Sequence, residues 1–194
     1  MRYVLLGLMM VWCGCSPSTR DDYFPLAVGN EWIVEETADV SNGPRSVEIY
    51  HRRIEGIVEM DGKNYFRFRI RRESGESGRA SAKLMRKDEK AVYFIDKLNG
   101  ATTEQIECVL PLKVGVSWKR TEGGRTMTET VVEKQSLQIA GKTCDDCYHI
   151  HGAEENGVYT EDQWEAPGIG EVKAQHGRAG VMFSERLIEF KPGR

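Results

Sequence analysis

Three residues with metal-binding side chains recur at every second position in the second half of this sequence. Cys147, His149 and His151 stand at i, i+2 and i+4, and residues at that spacing share one face of a β-strand. A thiolate and two imidazoles on one face could bind Zn²⁺ or copper if His51 or His176 supplied a fourth ligand. The alternative is an ordinary polar strand face in contact with water.

The same stretch carries a Cys-x-x-Cys pair. Cys144 and Cys147 enclose two aspartates, whose negative charge opposes formation of the thiolate that redox catalysis needs. If the chain is exported, an oxidising compartment permits a disulfide among Cys108, Cys144 and Cys147, although sequence alone cannot choose the pair. A disulfide at Cys147 would remove one metal ligand. We therefore expect a disulfide, no stoichiometric metal and no cofactor.

No set of residues points to catalysis. The sequence contains neither G-x-S-x-G nor H-E-x-x-H, and nothing in it brings adjacent acids such as Glu161 and Asp162 around a substrate. Lysine and arginine are interleaved with aspartate and glutamate, and the formal net charge is −3, so no basic patch suggests nucleic acid. We expect a protein that is not an enzyme and has no nucleic-acid partner.

Two segments of the chain share the pattern PLxVGxxW. They are Pro25–Trp32 and Pro111–Trp118, and each is followed by a Gly-Lys turn and a strand-like run. The preserved order predicts an internal duplication within one domain, 23–194, with halves 23–108 and 109–194. Trp32 and Trp118 should then be equivalent core residues, and a ligand-stacking platform is the alternative.

Turn signals separate short runs of strand character along the whole domain. Phe66, Phe68 and Ile70 alternate with arginines, which predicts one apolar and one wet face. The turn signals are Asn42-Gly43, Asp61-Gly62, Asn99-Gly100, Gly123-Gly124 and Asn156-Gly157. We predict an all-β, antiparallel fold of ten to twelve strands in a curved sheet, barrel or sandwich, built from two duplicated halves.

The N-terminus carries an export signal. An apolar run over 3–12 leads to Gly14-Cys15-Ser16, and its length suits a signal peptide rather than a membrane span. This layout resembles the lipobox of bacterial lipoproteins, in which a peptidase cuts before a cysteine that carries a diacylglyceryl group. The resemblance implies a signal peptide over 1–14 and a lipidated Cys15 on a polar tether, 15–22.

Ser16, rather than aspartate, follows the cysteine. By resemblance to Gram-negative lipoproteins, this implies the outer membrane. We expect a lipid-anchored protein on the periplasmic side, with the cell surface as the alternative side. Its partners would be the membrane, through the anchor, and an envelope protein.

Two further segments resemble parts of uncharacterised bacterial secreted proteins: the opening YFPLxVGNxW, at Tyr23–Trp32, and PGxGxVK, at Pro167–Lys173. The resemblance implies no activity. Our leading expectation is a non-enzymatic interaction module at the outer membrane. The first alternative is a lipid or lipoprotein carrier of LolA/LolB-like type with an apolar hollow, and the second is a metal-binding protein.

Lipidation is testable by replacing the acceptor cysteine. We expect Cys15→Ala to abolish palmitate labelling and membrane association, because acyl chains hold the protein at about 0.8 kcal/mol per buried methylene. Labelling and membrane fractionation measure both effects, with Cys13→Ala as the matched control. Unchanged labelling and fractionation of the Cys15 variant would contradict the lipoprotein interpretation.

Overall fold

A computed structural model describes residues 22–41, 43–74, 81–98, 101–155, 157–178 and 180–193. Cys15, the segment 1–14 and all of the tether except Asp22 lie outside these ranges. The strands are β1 (Glu31–Val40), β2 (Ser46–Met60), β3 (Lys63–Arg72), β4 (Ser81–Lys87), β5 (Ala91–Leu98), β6 (Ala101–Val109), β7 (Ser117–Glu122), β8 (Arg125–Ile139), β9 (Lys142–Glu154), β10 (Thr160–Ala166), β11 (Gly170–Arg178) and β12 (Val181–Lys191).

The strands form a single antiparallel sheet. Its order is β6-β5-β4-β3-β2-β1-β12-β11-β10-β9-β8-β7. Strands that are consecutive along the chain are paired, except β6 and β7, which form the two edges, and β1 pairs with β12. The edge strands β6 and β7 lie against each other, and the Trp118 indole donates a hydrogen bond to the Glu107 carbonyl across that seam (3.0 Å). The sheet is therefore a nearly closed barrel, and the all-β prediction is confirmed at twelve strands.

The described ranges contain no helix. Accordingly, none of their segments is a helix able to cross a membrane.

Tight turns fix the register of two long hairpins. Asp61 and Gly62 both have positive φ, 52° and 70°, which is the conformation that a two-residue hairpin turn requires. Ala140 and Gly141 adopt the same conformation, at 49° and 78°, between β8 and β9. Positive φ is less favourable for Ala140 than for Asp61, because aspartate adopts this conformation more readily than alanine.

The alternation predicted around Phe68 is confirmed. Along β3, Phe66, Phe68 and Ile70 are partly buried and the intervening arginines are exposed. The apolar face of this strand turns toward the inside of the barrel, where Phe68 and Ile70 line the central hollow.

The two PLxVGxxW segments make matching contacts. Gly29 has φ of 92° and donates its N–H to the Ile54 carbonyl (2.9 Å), and Gly115 has φ of 89° and donates to Val131 (2.8 Å). Since strand direction alternates around the sheet, β1 and β7 run parallel and both segments lie at the same end of the barrel. These shared contacts support the duplication, which stays a prediction.

That end of the barrel, the closed end, is covered by the chain that precedes β1. Lys87 holds this segment through the Asp22 carboxylate (2.6 Å) and the Phe24 carbonyl (2.8 Å). The Gly168 N–H, in the turn between β10 and β11, donates to the Asp22 carbonyl (2.7 Å). Phe24 and Leu26 consequently form the floor of the hollow.

Trp32 and Trp118 should be equally important for stability. They are 6% and 8% exposed, so we expect Trp32→Ala and Trp118→Ala each to lower the free energy of unfolding by about 3–5 kcal/mol, the cost of truncating a large core aromatic. Denaturant unfolding measures this. Val158→Ala, at a side chain that is 77% exposed, is the control and should change little. A tryptophan variant as stable as this control would contradict the paired-core interpretation.

Candidate functional site: the hollow of the barrel

The barrel encloses a hollow of about 310 Å³. Its apolar wall comes from strands on opposite sides of the sheet. The residues of this wall are Trp32, Phe68, Ile70, Met85, Trp118 and Ile150, above the floor of Phe24 and Leu26. The wall also includes the half-exposed side chain of Glu122, the last residue of β7, so the hollow reaches solvent at the end opposite the closed end.

Charged side chains occupy much of the same wall. Among the described residues that line the hollow, six are glutamates and three are lysine or arginine. The acids are Glu107, Glu122, Glu161, Glu165, Glu171 and Glu185, and the bases are Arg52, Lys83 and Arg120. When all are ionised, the wall therefore has an excess of negative charge.

Arg120 organises the charges nearest the open end. Its Nε donates to Glu129 (2.9 Å), Nη1 donates to Glu122 (2.7 Å), and Nη2 donates to Glu161. Several carboxylates around one guanidinium compensate the cost of burying it. Burial, and secondarily the nearby charge of Glu161, raises the pKa of Glu129 to about 7, although Arg120 opposes the shift.

A second network joins the two halves of the chain. Arg52, on β2, donates to Glu171 on β11 (2.5 Å) and to Glu185 on β12. Lys83, on β4, donates to Glu107 on β6 (3.0 Å) and also lies 3.2 Å from Glu122 on β7, in the second half. Burial raises the pKa of Glu171, while the Arg52 guanidinium opposes that shift. These ion pairs hold the charged side chains of the wall in one arrangement.

Glu165 differs from the other acids of the hollow. It is 3% exposed, and its Oε2 makes no hydrogen bond with any described residue. Burial, followed by the charges of Glu171 and Glu107, raises its pKa well above the ordinary value, and Arg52 only partly opposes the shift. A deeply buried carboxyl group therefore faces the hollow without a cationic hydrogen-bond donor.

Trp32 and Trp118 line the hollow and are also buried in the core. The Trp32 indole donates to the Ile169 carbonyl (2.6 Å) and the Trp118 indole to the Glu107 carbonyl (3.0 Å). Because these bonds satisfy both indole N–H groups, the rings present apolar surface to the hollow. Core packing and ligand stacking are thus compatible roles for the same side chains.

The histidines of the predicted metal site lie on the other face of the sheet. Asp162 Oδ1 is hydrogen-bonded to His149 Nε2 (2.7 Å) and to His151 Nδ1 (3.0 Å), while Ile150, between them, lines the hollow. His149 also stacks on Trp164, with ring centroids 4.5 Å apart. In the part of the chain that the structure describes, no three His, Cys, Asp or Glu side chains are grouped to hold a metal ion.

The other two histidines are used elsewhere. His51 Nδ1 lies 3.2 Å from Glu31. His176 lines the hollow and stacks on Phe183, with ring centroids 4.9 Å apart. The structure therefore does not bring either histidine to His149 and His151.

The described cysteines are free thiols in this structure. Cys147 is fully buried, and its thiol donates weakly to the Cys144 carbonyl (3.5 Å). Burial, and secondarily Cys144, raises the pKa of Cys147 to about 12, which disfavours the thiolate that a metal would need. Cys108 is buried in a separate core cluster. The disulfide stays a prediction, and the structure does not favour one from Cys108 to Cys147.

The acids of the hollow are candidate site residues that the sequence analysis did not identify. Glu161, Gln163 and Glu165 alternate along β10 and all line the hollow, whereas Trp164 points to the opposite face. The alternation is visible in the sequence, but a polar strand face ordinarily indicates contact with water.

The chain matches no protein-family model and no curated protein. Two solved structures are similar to it. One is a candidate lipoprotein from Parabacteroides distasonis, with 12% identity and a TM-score of 0.50. The other is a candidate exported protein with a YmcC-like fold from Bacteroides fragilis, with 11% identity and a TM-score of 0.52. Each match covers 87% of this chain and 98% of the other. At such low identity, the likeness shows the fold alone.

The buried acid Glu129 should make stability depend on pH. Its pKa rises from an ordinary value of 4.5 to about 7, so the folded state binds more protons than the unfolded state between these values, and stability falls as pH rises through that window. The contribution is on the order of 3 kcal/mol. We expect Glu129→Gln to make this slope shallower in urea unfolding measured across the window, while Glu165 and Glu171, whose pKa values are also raised by burial, retain part of it.

The control for this experiment is Glu189→Gln, since the Glu189 side chain is 52% exposed. This variant should keep the pH profile of the unaltered protein. Parallel profiles for the unaltered protein and Glu129→Gln would show that Glu129 has no raised pKa.

Proposed function

We propose that the protein is an exported, lipid-anchored binding protein of the cell envelope, and that it holds a small molecule inside its barrel without transforming it. The observation that carries the proposal is the hollow of about 310 Å³. This volume is at the lower end of the range for small-molecule sites, roughly 300–1,000 Å³. Like such sites, the hollow combines apolar walls with a few buried polar groups.

The proposed location rests on the N-terminal sequence. The apolar run before Gly14-Cys15-Ser16 supports export and attachment at Cys15, on the periplasmic side of the outer membrane. The similar structures are described as a candidate lipoprotein and a candidate exported protein, which agrees with this location. The seven residues after the lipidated cysteine, 16–22, would reach at most roughly 25 Å, so the barrel would stay near the bilayer.

A binding role fits the hollow better than the interaction module that the sequence favoured. A module that acts only through its outer surface needs no hollow, whereas this barrel has one next to Trp32 and Trp118. An envelope protein could still bind the outside of the barrel, because the two roles use different surfaces. That partner, and the absence of enzymatic activity, remain proposals.

The second candidate function is a lipid or lipoprotein carrier. The apolar wall formed by Phe68, Met85 and Ile150 favours it, since an acyl chain would find partners there. The buried glutamates argue against it. An acyl chain next to Glu165 or Glu171 would exclude water and leave polar groups without hydrogen bonds, which costs free energy.

Mass spectrometry under non-denaturing conditions can test the binding function. Protein purified from its own membranes should carry one small molecule that is released on denaturation. Ala174 lines the hollow between Gln163 and Glu185, so Ala174→Trp should fill the hollow and abolish the bound mass. The milder Ala174→Met should reduce it if the tryptophan variant does not fold.

The matched control is Ala153→Trp. Ala153 is partly exposed and lies two residues after His151 on β9, so both share the outer face of the strand. This variant should retain the bound molecule. A released fatty acid or phospholipid would favour the carrier. A mass equal to that of the lipidated chain alone, in both the unaltered protein and Ala153→Trp, would contradict the proposed function.

A further inference from the structure

Glu165 marks one position in the hollow where charge is left uncompensated. Among the described acids of the wall, Glu107 is bound by Lys83, and Glu171 and Glu185 are bound by Arg52. Glu161, Glu122 and Glu129 share Arg120. Glu165 has no such pair in the described part of the chain, although it is 3% exposed and lines the hollow.

Protonation alone does not satisfy this group. A neutral carboxyl group would lose the charge, but Oε2 would still have no hydrogen-bond partner among the described residues. A buried polar atom without a partner costs about 1–3 kcal/mol. Such atoms are rare in folded proteins and call for a specific explanation, for example a missing ligand.

A second unsatisfied atom lies in the same wall. Arg52 lines the hollow, and its Nε is buried without a hydrogen-bond acceptor in the described structure, while both terminal nitrogens bind glutamates. Arg52 also lowers the pKa of Glu165 through its charge, so the two residues lie in the same part of the wall. Two residues that line the hollow thus each contain one buried polar atom without a partner among the described residues.

We propose that the hollow binds a small primary ammonium compound whose ammonium group occupies the position next to Glu165. This inference rests on the proposed binding function and names the class of its ligand. The ammonium group supplies the donor and the positive charge that Glu165 lacks. A neutral oxygen of the same ligand accepts the Arg52 Nε–H, since the excess of glutamates in the wall would repel a ligand carboxylate.

The remaining wall suits the rest of such a molecule. Trp32 and Trp118 present ring surface to the hollow, and aromatic faces attract both cations and apolar groups. A volume of about 310 Å³ corresponds to roughly ten molecules of liquid water. A compact amine fits into that volume, whereas a folded polypeptide is too large for it.

The test compares two probes of similar shape, butylammonium and butanol, at equal concentration and equal ionic strength. Calorimetric titration and the shift in melting temperature of the purified protein measure binding. We expect butylammonium to bind about tenfold more tightly than butanol, since a buried hydrogen bond to a charged group is worth at least one decade in affinity. Ala174→Trp should bind neither probe.

The decisive variant is Glu165→Gln, which keeps the shape of the side chain and removes its charge. It should bind butanol as before and lose the preference for butylammonium. Glu165→Met replaces it if the glutamine variant does not fold, and Glu189→Gln, at an exposed acid, should keep the preference.

The outcomes separate the two proposals. Equal binding of both probes, or a preference that survives in Glu165→Gln, would overturn the ammonium inference while the binding function stands. If neither probe binds the unaltered protein, the ammonium inference is wrong. If no molecule co-purifies with the protein either, the proposed binding function fails as well.

Discussion

The rest of the structure depends on how buried charge is neutralised inside the barrel. Arg52, Lys83 and Arg120 all lie in the hollow among a larger number of glutamates, and each cation is held by at least two carboxylates. Charges at this depth are tolerated only with close partners. The pairing of β1 with β12 supplies these partners across the chain, because it brings Arg52 of the first half beside acids of the second.

Much of the fold follows from local sequence patterns. The turn at Asp61-Gly62 and the alternation around Phe68 predict antiparallel hairpins, and both are present. These local patterns could not decide among a curved sheet, a barrel and a sandwich, because closure of the barrel depends on contacts between residues far apart in sequence. The hydrogen bond from Trp118 to Glu107 across the seam is one such contact.

The candidate site was harder to predict than the fold. The sequence drew attention to Cys147, His149 and His151, whose residue types can bind metals, but Asp162 engages both imidazoles and the core encloses the thiol. The glutamates of β10 showed only a polar alternation, which normally indicates an outer face. Only the closed barrel reveals that the face containing Glu165 points inward. There the carboxyl groups are buried and need hydrogen-bond partners, whereas on an outer face they would contact water.

The central claim is that a surplus carboxyl group lies buried in the hollow, ready for a cation. Carboxyl-carbon NMR titration of the purified protein measures this directly, since each glutamate reports its own pKa. Burial should give Glu165 a pKa well above the ordinary 4.5, and this resonance should be absent from the Glu165→Gln spectrum. Addition of butylammonium should lower that pKa, because the ammonium group stabilises the ionised form. A Glu165 resonance that titrates near the ordinary value, or that ignores the amine, would contradict the account.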